Sequence, residues 1–340
     1  MTLGTGQRVD APRTARDTDT VTLRVGTRGS TLAITQSGHV AERLRELTGR
    51  EVALERIRTD GDVLTGPLAQ MGGTGVFVTA IRAALLDGRV EVAVHSLKDL
   101  PTQGVDGLHV VTPPREDHRD ALCARDGLDL ATLPDGARVG TGSPRRAAQL
   151  LALRPDLTIV DIRGNIETRL ARAQGPDADL DAVVLAAAGL RRTGRADVVT
   201  EFLDAPDVLP APGQGALAVE VRTDVLADAG LATALEALDD RATKLAVTAE
   251  RALLGTLEAG CAAPVGALGT LDGDTLHLAS AVVRTDGTQR LARSASVTLP
   301  TDTTAHRTAA HDAAARLGAD LARELLAAGA AELAELGPRG

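Results

Sequence analysis

The stretch Val92-Ala93-Val94-His95-Ser96-Leu97-Lys98-Asp99-Leu100-Pro101-Thr102 decides how the chain is read. A short β-branched run ends abruptly in polar and charged residues, and Pro101 then stops regular structure from continuing. In α/β proteins, ligands are met at the carboxyl ends of strands, so His95, Ser96, Lys98 and Asp99 are expected at such an edge. Asp99 is then a candidate catalytic carboxylate. Taken alone, the stretch reads better as a surface loop with Lys98 and Asp99 solvated, and the rest of the chain has to decide.

Working back from this stretch, Val21–Gly26 reads as a strand that breaks at Thr27-Arg28-Gly29-Ser30. Leu32, Ile34, Val40 and Leu44 then suggest an amphipathic helix, and residues 51–58 a second strand. Thr59–Gly75 is a long glycine-rich loop of the functional kind, followed by Phe77, Val78, Ile81, Ala84 and Leu85 at helical spacing. Residues 21–100 therefore run β-α-β-α-β and predict a parallel sheet. Beyond Pro113-Pro114 the pattern restarts after a hinge near 114–119. Strands are expected at Arg119–Ala124, Arg138–Thr141, Thr158–Ile162 and Leu180–Ala187. One helix has Ser143 as its cap and Pro144 as its first residue and runs through Leu153; another runs from Asn165 to about Arg172.

Leu209–Gly215 is a Pro/Gly-dense linker, and Ala216–Val221 reads as a buried strand returning to the first unit. A long helical pattern through Leu235, Leu238, Ala242, Leu245, Ala249, Leu253 and Leu257 stops at Gly260. Residues 264–299 alternate like a small antiparallel sheet, and an Ala/Leu-rich helix closes the chain. The expected division is a disordered tail over 1–20, a first domain over 21–114 and 214–234, and a second over 115–210. A third, over 235–340, carries Cys261.

Composition narrows the class. The 340 residues are 44% hydrophobic and 24% charged, with a net charge of −9. Aromatics are only 1%, with neither Trp nor Tyr, which disfavours base-stacking platforms and a nucleic-acid partner. Cys123 and Cys261 lie far apart, so neither a disulfide framework nor a metal-ligand cluster is expected. No segment has the apolar length of a membrane span, and residues 1–20 lack the apolar core of a secretory signal. The expected compartment is the cytoplasm.

One arrangement recurs: a buried strand ends, a small residue turns the chain, and arginine sits at or inside the next helix start. It occurs at Thr27-Arg28-Gly29-Ser30, at Gly142-Ser143-Pro144-Arg145-Arg146, at Arg163-Gly164-Asn165 with Arg169, and at Gly189-Leu190-Arg191-Arg192. The helix dipole disfavours cations at an N-terminus, so the repetition calls for a reason. Each arginine singly is explained by a nearby surface carboxylate, worth ~0–1 kcal/mol. Four at equivalent positions favour a shared cleft for a ligand with several carboxylates or phosphates. The absence of a Gly-Lys-Ser/Thr phosphate loop and of a Gly-x-Gly-x-x-Gly turn lowers the odds for nucleotides. Cys261, in A-G-C-A-A-P-V-G, has no His within ten residues to activate it and reads better as a covalent attachment point than as a hydrolase nucleophile.

These segments, in order, resemble the porphobilinogen deaminase family: V-G-T-R-G-S, A-V-H-S-L-K-D-L-P-T, G-T-G-S-P-R-R-A-A-Q-L, D-I-R-G-N-I-E-T-R-L, L-A-A-A-G-L-R-R, L-P-A-P-G-Q-G-A and L-E-A-G-C-A-A-P-V-G. The resemblance spans residues 22–268. It implies an α/β fold with two lobes like periplasmic binding proteins, parallel-rich sheets around a cleft, and a small C-terminal α+β domain. It further implies a transferase of tetrapyrrole (haem-type) biosynthesis. Such an enzyme condenses four porphobilinogen units on a dipyrromethane cofactor, thioether-linked at Cys261, and releases hydroxymethylbilane; a monomer is implied as well.

By position in the motifs, Asp99 is the implied catalytic residue. Arg28, Ser30, Lys98, Ser143, Arg145, Arg146, Arg163, Arg169 and Arg192 are implied to hold cofactor and substrate carboxylates, and Phe77 lies near the active-site loop. No metal is implied. Gln70 and Thr74 stand where the family commonly has lysines, Thr31 where it has proline, and Gly142 where it has serine. Two other classes fit less well: a solute-binding module for small carboxylates, for which Cys261 and the third domain have no use, and a regulatory effector-binding fragment, for which no DNA-binding helix-turn-helix is visible.

Overall fold

The computed structural model describes residues 22–57, 75–260, 263–301 and 303–334. The proposed tail, Gln70, Thr74 and Cys261 lie outside the described residues.

The first lobe opens with β1 (Leu23–Thr27), α1 (Thr31–Thr48), β2 (Val52–Arg56), α2 (Gly75–Leu86), β3 (Val92–Ser96) and β4 (Leu108–Val111). Ser30 caps α1, its hydroxyl accepting from the Ala33 N–H, and left-handed Gly49 ends the helix by donating to the Arg45 carbonyl. The second lobe contains β5 (Asp120–Ala124), β6 (Arg138–Gly140), α3 (Pro144–Leu153), β7 (Thr158–Val160), α4 (Ile166–Gln174), β8 (Ala182–Ala186), α5 (Ala187–Arg192) and β9 (Glu201–Leu203). The chain then returns to the first lobe as β10 (Leu217–Arg222) and α6 (Ala229–Leu238).

The two five-stranded sheets share one topology, β2-β1-β3-β10-β4 and β7-β6-β8-β5-β9. In each, the first three strands are parallel, as βαβ crossovers require. The fourth, β10 or β5, arrives from the other lobe and pairs antiparallel on both sides. The sheet expected from residues 21–100 is therefore mixed. The returning strand supplies its antiparallel member, and the short edge strands β4 and β9, which the periodicity does not predict, complete the two sheets.

The two crossover segments lie backbone on backbone. Glu116 donates its N–H to the Gly215 carbonyl at 3.2 Å, and a Cβ on Gly215, at φ 87°, would sit 2.4 Å from the Glu116 carbonyl oxygen. Only glycine fits that approach.

The helical pattern expected as one run is two helices, because Asp239 and Asp240 interrupt it. Asp240 caps α7 (Arg241–Thr256), accepting from the Thr243 N–H at 2.7 Å. Asp239 instead accepts from the Thr112 N–H and hydroxyl at 2.8 and 3.0 Å. Leu231, Leu235 and Leu238 pack into the first lobe's core, so that lobe runs to the end of α6 rather than to residue 234. Leu245, Leu253 and Leu257 pack into a third core, with β11 (Val265–Asp272), β12 (Thr275–Val283), β13 (Arg290–Thr298), α8 (Arg307–Ala327) and α9 (Ala330–Ala334). No helix among the described residues is long and apolar enough to cross a membrane.

Candidate active site

The carboxyl ends of the parallel strands bear the candidate residues. β1 ends at Thr27 before half-buried Arg28; β3 ends at Ser96 before a single 3₁₀ turn, Leu97–Asp99, that carries Lys98 and Asp99. In the second lobe β6 leads to Ser143, which caps α3 by accepting from the Arg146 N–H at 3.5 Å. β7 leads to Arg163 and to the Asn165 cap of α4, on which Arg169 lies, and β8 leads to Arg192. The lobes meet here: a Cβ on Gly189 of α5 would lie 3.9 Å from the Leu32 side chain of α1. Phe77 lies on α2.

Two expectations change. His95 is not displayed at the edge. Strand alternation turns it beneath the sheet, 7% exposed, with Nε2 3.2 Å from Glu220, whose carboxylate also accepts from Arg82. Ser96, on the opposite face, donates to Gln36 of α1 at 3.2 Å. Second, Arg191 and Arg192 occupy the last turn of α5, not its start, because β8 passes directly into that helix. There the dipole favours cations. Arg192 donates to the Gly215 carbonyl at 2.7 Å, which ties α5 to the crossover.

The centre of the site is a residue that the motifs did not single out. Asp120, at the start of β5, has no exposed surface, and Arg145 and Arg146 are only 3% and 6% exposed. Asp120 lies 2.8 Å from Arg145 Nη1 and 2.8 Å from Arg146 Nη2, and it accepts from Gln214 Nε2 at 2.8 Å. Arg145 also donates to the Leu209 carbonyl and Arg146 to that of Val184. The signal for Asp120 was its place, a charged residue opening a fully buried strand just after the hinge. A buried carboxylate needs a partner, and adjacent arginines were available.

The electrostatics separate this cluster from surface arginines. Hydrogen bonds to carboxylates raise the pKa values of Arg24, Arg50, Arg154 and Arg172, which face Glu91, Asp228, Asp156 and Asp179. In the cleft the direction reverses. Burial lowers Arg145, with Asp120 opposing and Arg146 adding to the shift. Burial lowers Arg169 too, and Arg146 and Arg163 push it further down. Burial also lowers Arg192. Lys98 is pushed down to about 8, first by burial; Asp99 and Asp120 pull it back, while Arg146 and Arg145 push it lower. Lys98 of one lobe thus lies within electrostatic reach of Asp120, Arg145 and Arg146 of the other. Among the described residues one carboxylate, Asp120, is shared by two guanidiniums, an arrangement chemically able to receive an anion.

Arg163 pairs with exposed Asp161 at 3.2 Å, an ordinary surface partner. Gly142, the departure from the family's serine, is explained by space: a Cβ there would lie 2.6 Å from the Ile162 carbonyl oxygen. Among the described residues no group of three His, Cys, Asp or Glu is placed to hold a metal ion.

Comparison with known proteins gives the family of the chain. The family model described as porphobilinogen deaminase, dipyromethane cofactor binding domain, matches residues 23–229, and the porphobilinogen deaminase C-terminal domain matches 244–327. Porphobilinogen deaminase of Cutibacterium acnes is 55% identical over 94% of this chain and 98% of the relative. That of Micrococcus luteus is 51% identical over 91% of this chain and 93% of the relative. Among solved structures, a periplasmic substrate-binding protein of an ABC transporter from Coxiella burnetii matches 65% of this chain and 93% of its own, with a TM-score of 0.41 and 17% identity. Matching domains over both parts of the chain and relatives above half identity place this chain in the porphobilinogen deaminase family.

Proposed function

We propose that the chain is a hydroxymethylbilane synthase, a cytoplasmic and monomeric transferase. It joins four porphobilinogen units head to tail with loss of ammonia on a dipyrromethane primer and releases hydroxymethylbilane with water. The observation that carries this reading is the basic cluster, contributed by both lobes and balanced by Asp120 only in part. Pyrroles bearing acetate and propionate arms present carboxylates in the number that such a cluster can use. The donor set fits the dipyrromethane: Lys98, Arg145 and Arg146 line one centre, and Ser143, Arg163 and Arg169 extend it along α3 and α4.

When bound, the dipyrromethane would supply the pyrrole carbon that receives the first unit and so starts the chain, and Cys261 is the residue that would hold it, through a thioether. Arg28, Ser30, Lys98, Arg145, Arg146 and Arg192 bind and orient carboxylates. Asp99, at the edge where the lobes meet, is the catalytic carboxylate. Loss of ammonia from porphobilinogen leaves a cationic methylene-pyrrole, and a fixed carboxylate beside its ring N–H stabilises that charge where water is scarce. The same carboxylate accepts the proton that a ring carbon gives up when the bond forms.

The test begins with mass. Purified protein is expected to be heavier than its chain by one dipyrromethane and to react with an aldehyde reagent for pyrroles. Cys261→Ala should lose the added mass, whereas Asp99→Asn should carry it and elongate poorly. Folded protein of unmodified mass that does not turn over porphobilinogen would sink the reading, and full turnover by Asp99→Asn would remove Asp99 from its role.

A further inference from the structure

The turn that carries Lys98 and Asp99 has an unusual support. A 3₁₀ turn stopped by proline leaves its last carbonyls without following N–H groups to accept from. Here the carbonyls of Leu100 and Pro101, together with that of Leu97, which also accepts from the Leu100 N–H at 3.1 Å, converge on one side chain from the third domain. Arg251, on α7, donates Nη1 to the carbonyls of Leu97 and Leu100 at 3.4 and 3.1 Å, and Nη2 to that of Pro101 at 2.5 Å. The turn is also seated from below, because Leu97 and Leu100 pack with Ala216 and with Val247 of the same α7. The preceding residue, Glu250, fully buried, accepts from the Gly213 and Gly269 N–H groups at 2.6 and 2.8 Å. Consecutive residues of α7 therefore hold the crossover and the Asp99 turn, and that helix leads in sequence to Cys261.

We infer that Arg251 is a positioning residue: by clamping three carbonyls of the Leu97–Pro101 turn, it fixes the Asp99 carboxylate relative to the domain that carries Cys261. This rests on the catalytic assignment of Asp99. The bonds it makes to the turn go to backbone carbonyls, a way of acting on Asp99 through the turn. Arginine suits the task because its rigid, planar fork of donors reaches several acceptors at once, whereas lysine offers a single compact charge.

The experiment compares Arg251→Lys, Arg251→Gln and Asp99→Asn as full chains carrying dipyrromethane, with loading checked by intact mass. A misplacement on the order of 1 Å costs about a hundredfold in rate. Both Arg251 variants should therefore lose about a hundredfold in kcat, with KM for porphobilinogen within about threefold and loading complete. Adding Arg251→Gln to Asp99→Asn should cost little more, because the clamp acts through the carboxylate already removed.

If Arg251→Lys keeps at least half of the parent kcat, charge alone suffices and the inference is overturned. It is overturned equally if neither variant yields folded, loaded protein, or if KM rises in step with the loss of kcat, since Arg251 would then be general support or a substrate contact. An inactive Asp99→Asn beside active Arg251 variants sinks only the clamp. A fully active Asp99→Asn sinks the catalytic assignment and the clamp with it.

Discussion

Replacing Asp120 with Asn keeps the shape of the side chain and removes its charge, which isolates what this carboxylate does for the basic cluster. In the folded protein it sits 2.8 Å from each of two guanidiniums that are 3% and 6% exposed. Removing one partner from a buried ion pair costs ~3–5 kcal/mol, because the remaining charge stays out of water. The new amide oxygen still accepts a hydrogen bond, which recovers ~1 kcal/mol. The expected loss is then ~2–4 kcal/mol, a large share of the ~5–15 kcal/mol typical of a folded protein.

For a unit of roughly 100 residues, each kcal/mol lowers the midpoint by ~4–8 °C, so the second lobe should melt at least ~8 °C lower. Calorimetry and urea unfolding measure this, with Asp135→Asn as control. Asp135 is fully exposed and 3.9 Å from Arg154, and its replacement should change stability by less than ~0.5 kcal/mol. Adding Arg146→Met to Asp120→Asn should recover part of the loss, since it removes a stranded charge. The pH dependence has a defined sign. The arginines hold the Asp120 carboxyl well below the usual range even though burial opposes them, so its contribution is complete above about pH 4 and is lost as pH falls below that. An Asp120→Asn protein as stable as the control, or two substitutions whose costs simply add, would refute the reasoning.

Further outcomes follow from the same geometry. In a Cys123→Ala, Cys261→Ala chain, which has no thiol and, with no Tyr, few groups that titrate in alkali, Lys98 should govern stability between pH 8 and 9. Its folded value of about 8 lies below the ordinary 10.5, so the unfolded chain binds more protons there and stability rises with pH, by ~0.5–1 kcal/mol after screening at a half-buried side chain. A Lys98→Met chain should show no such rise in denaturant unfolding, and a slope that persists without Lys98 would assign it elsewhere. Gly142→Ser should cost ~1–3 kcal/mol, because its Cβ must displace the Ile162 carbonyl oxygen only 2.6 Å away; unchanged urea unfolding would contradict the close approach.

Much of the architecture was legible from local rules. The Ser30 and Ser143 caps, the Pro144 start, the β-branched strands and the returning Ala216–Val221 segment all stand close to where short-range chemistry put them. The arginines at strand ends suggest a polyanion, and the structure gathers two of them, Arg145 and Arg146, around Asp120. Errors came where the deciding interaction was distant in sequence. The single helical pattern through Leu235 and Leu253 became two helices because its apolar faces serve different cores, and periodicity does not say which core a face meets. His95 looked like an edge residue until Glu220, on a strand from the far end of the chain, gave it a partner beneath the sheet.

The sequence by itself determined the α/β class, the repeated unit and the family, because these follow from periodicity, caps and short ordered motifs. Only the tertiary structure decided which charges compensate one another. Asp120 meets Arg145 and Arg146, Lys98 feels all three across the cleft, and Arg251 clamps the Asp99 turn from another domain. Coulomb energy depends on distance and burial, and neither is a property of sequence spacing once a chain crosses twice between lobes.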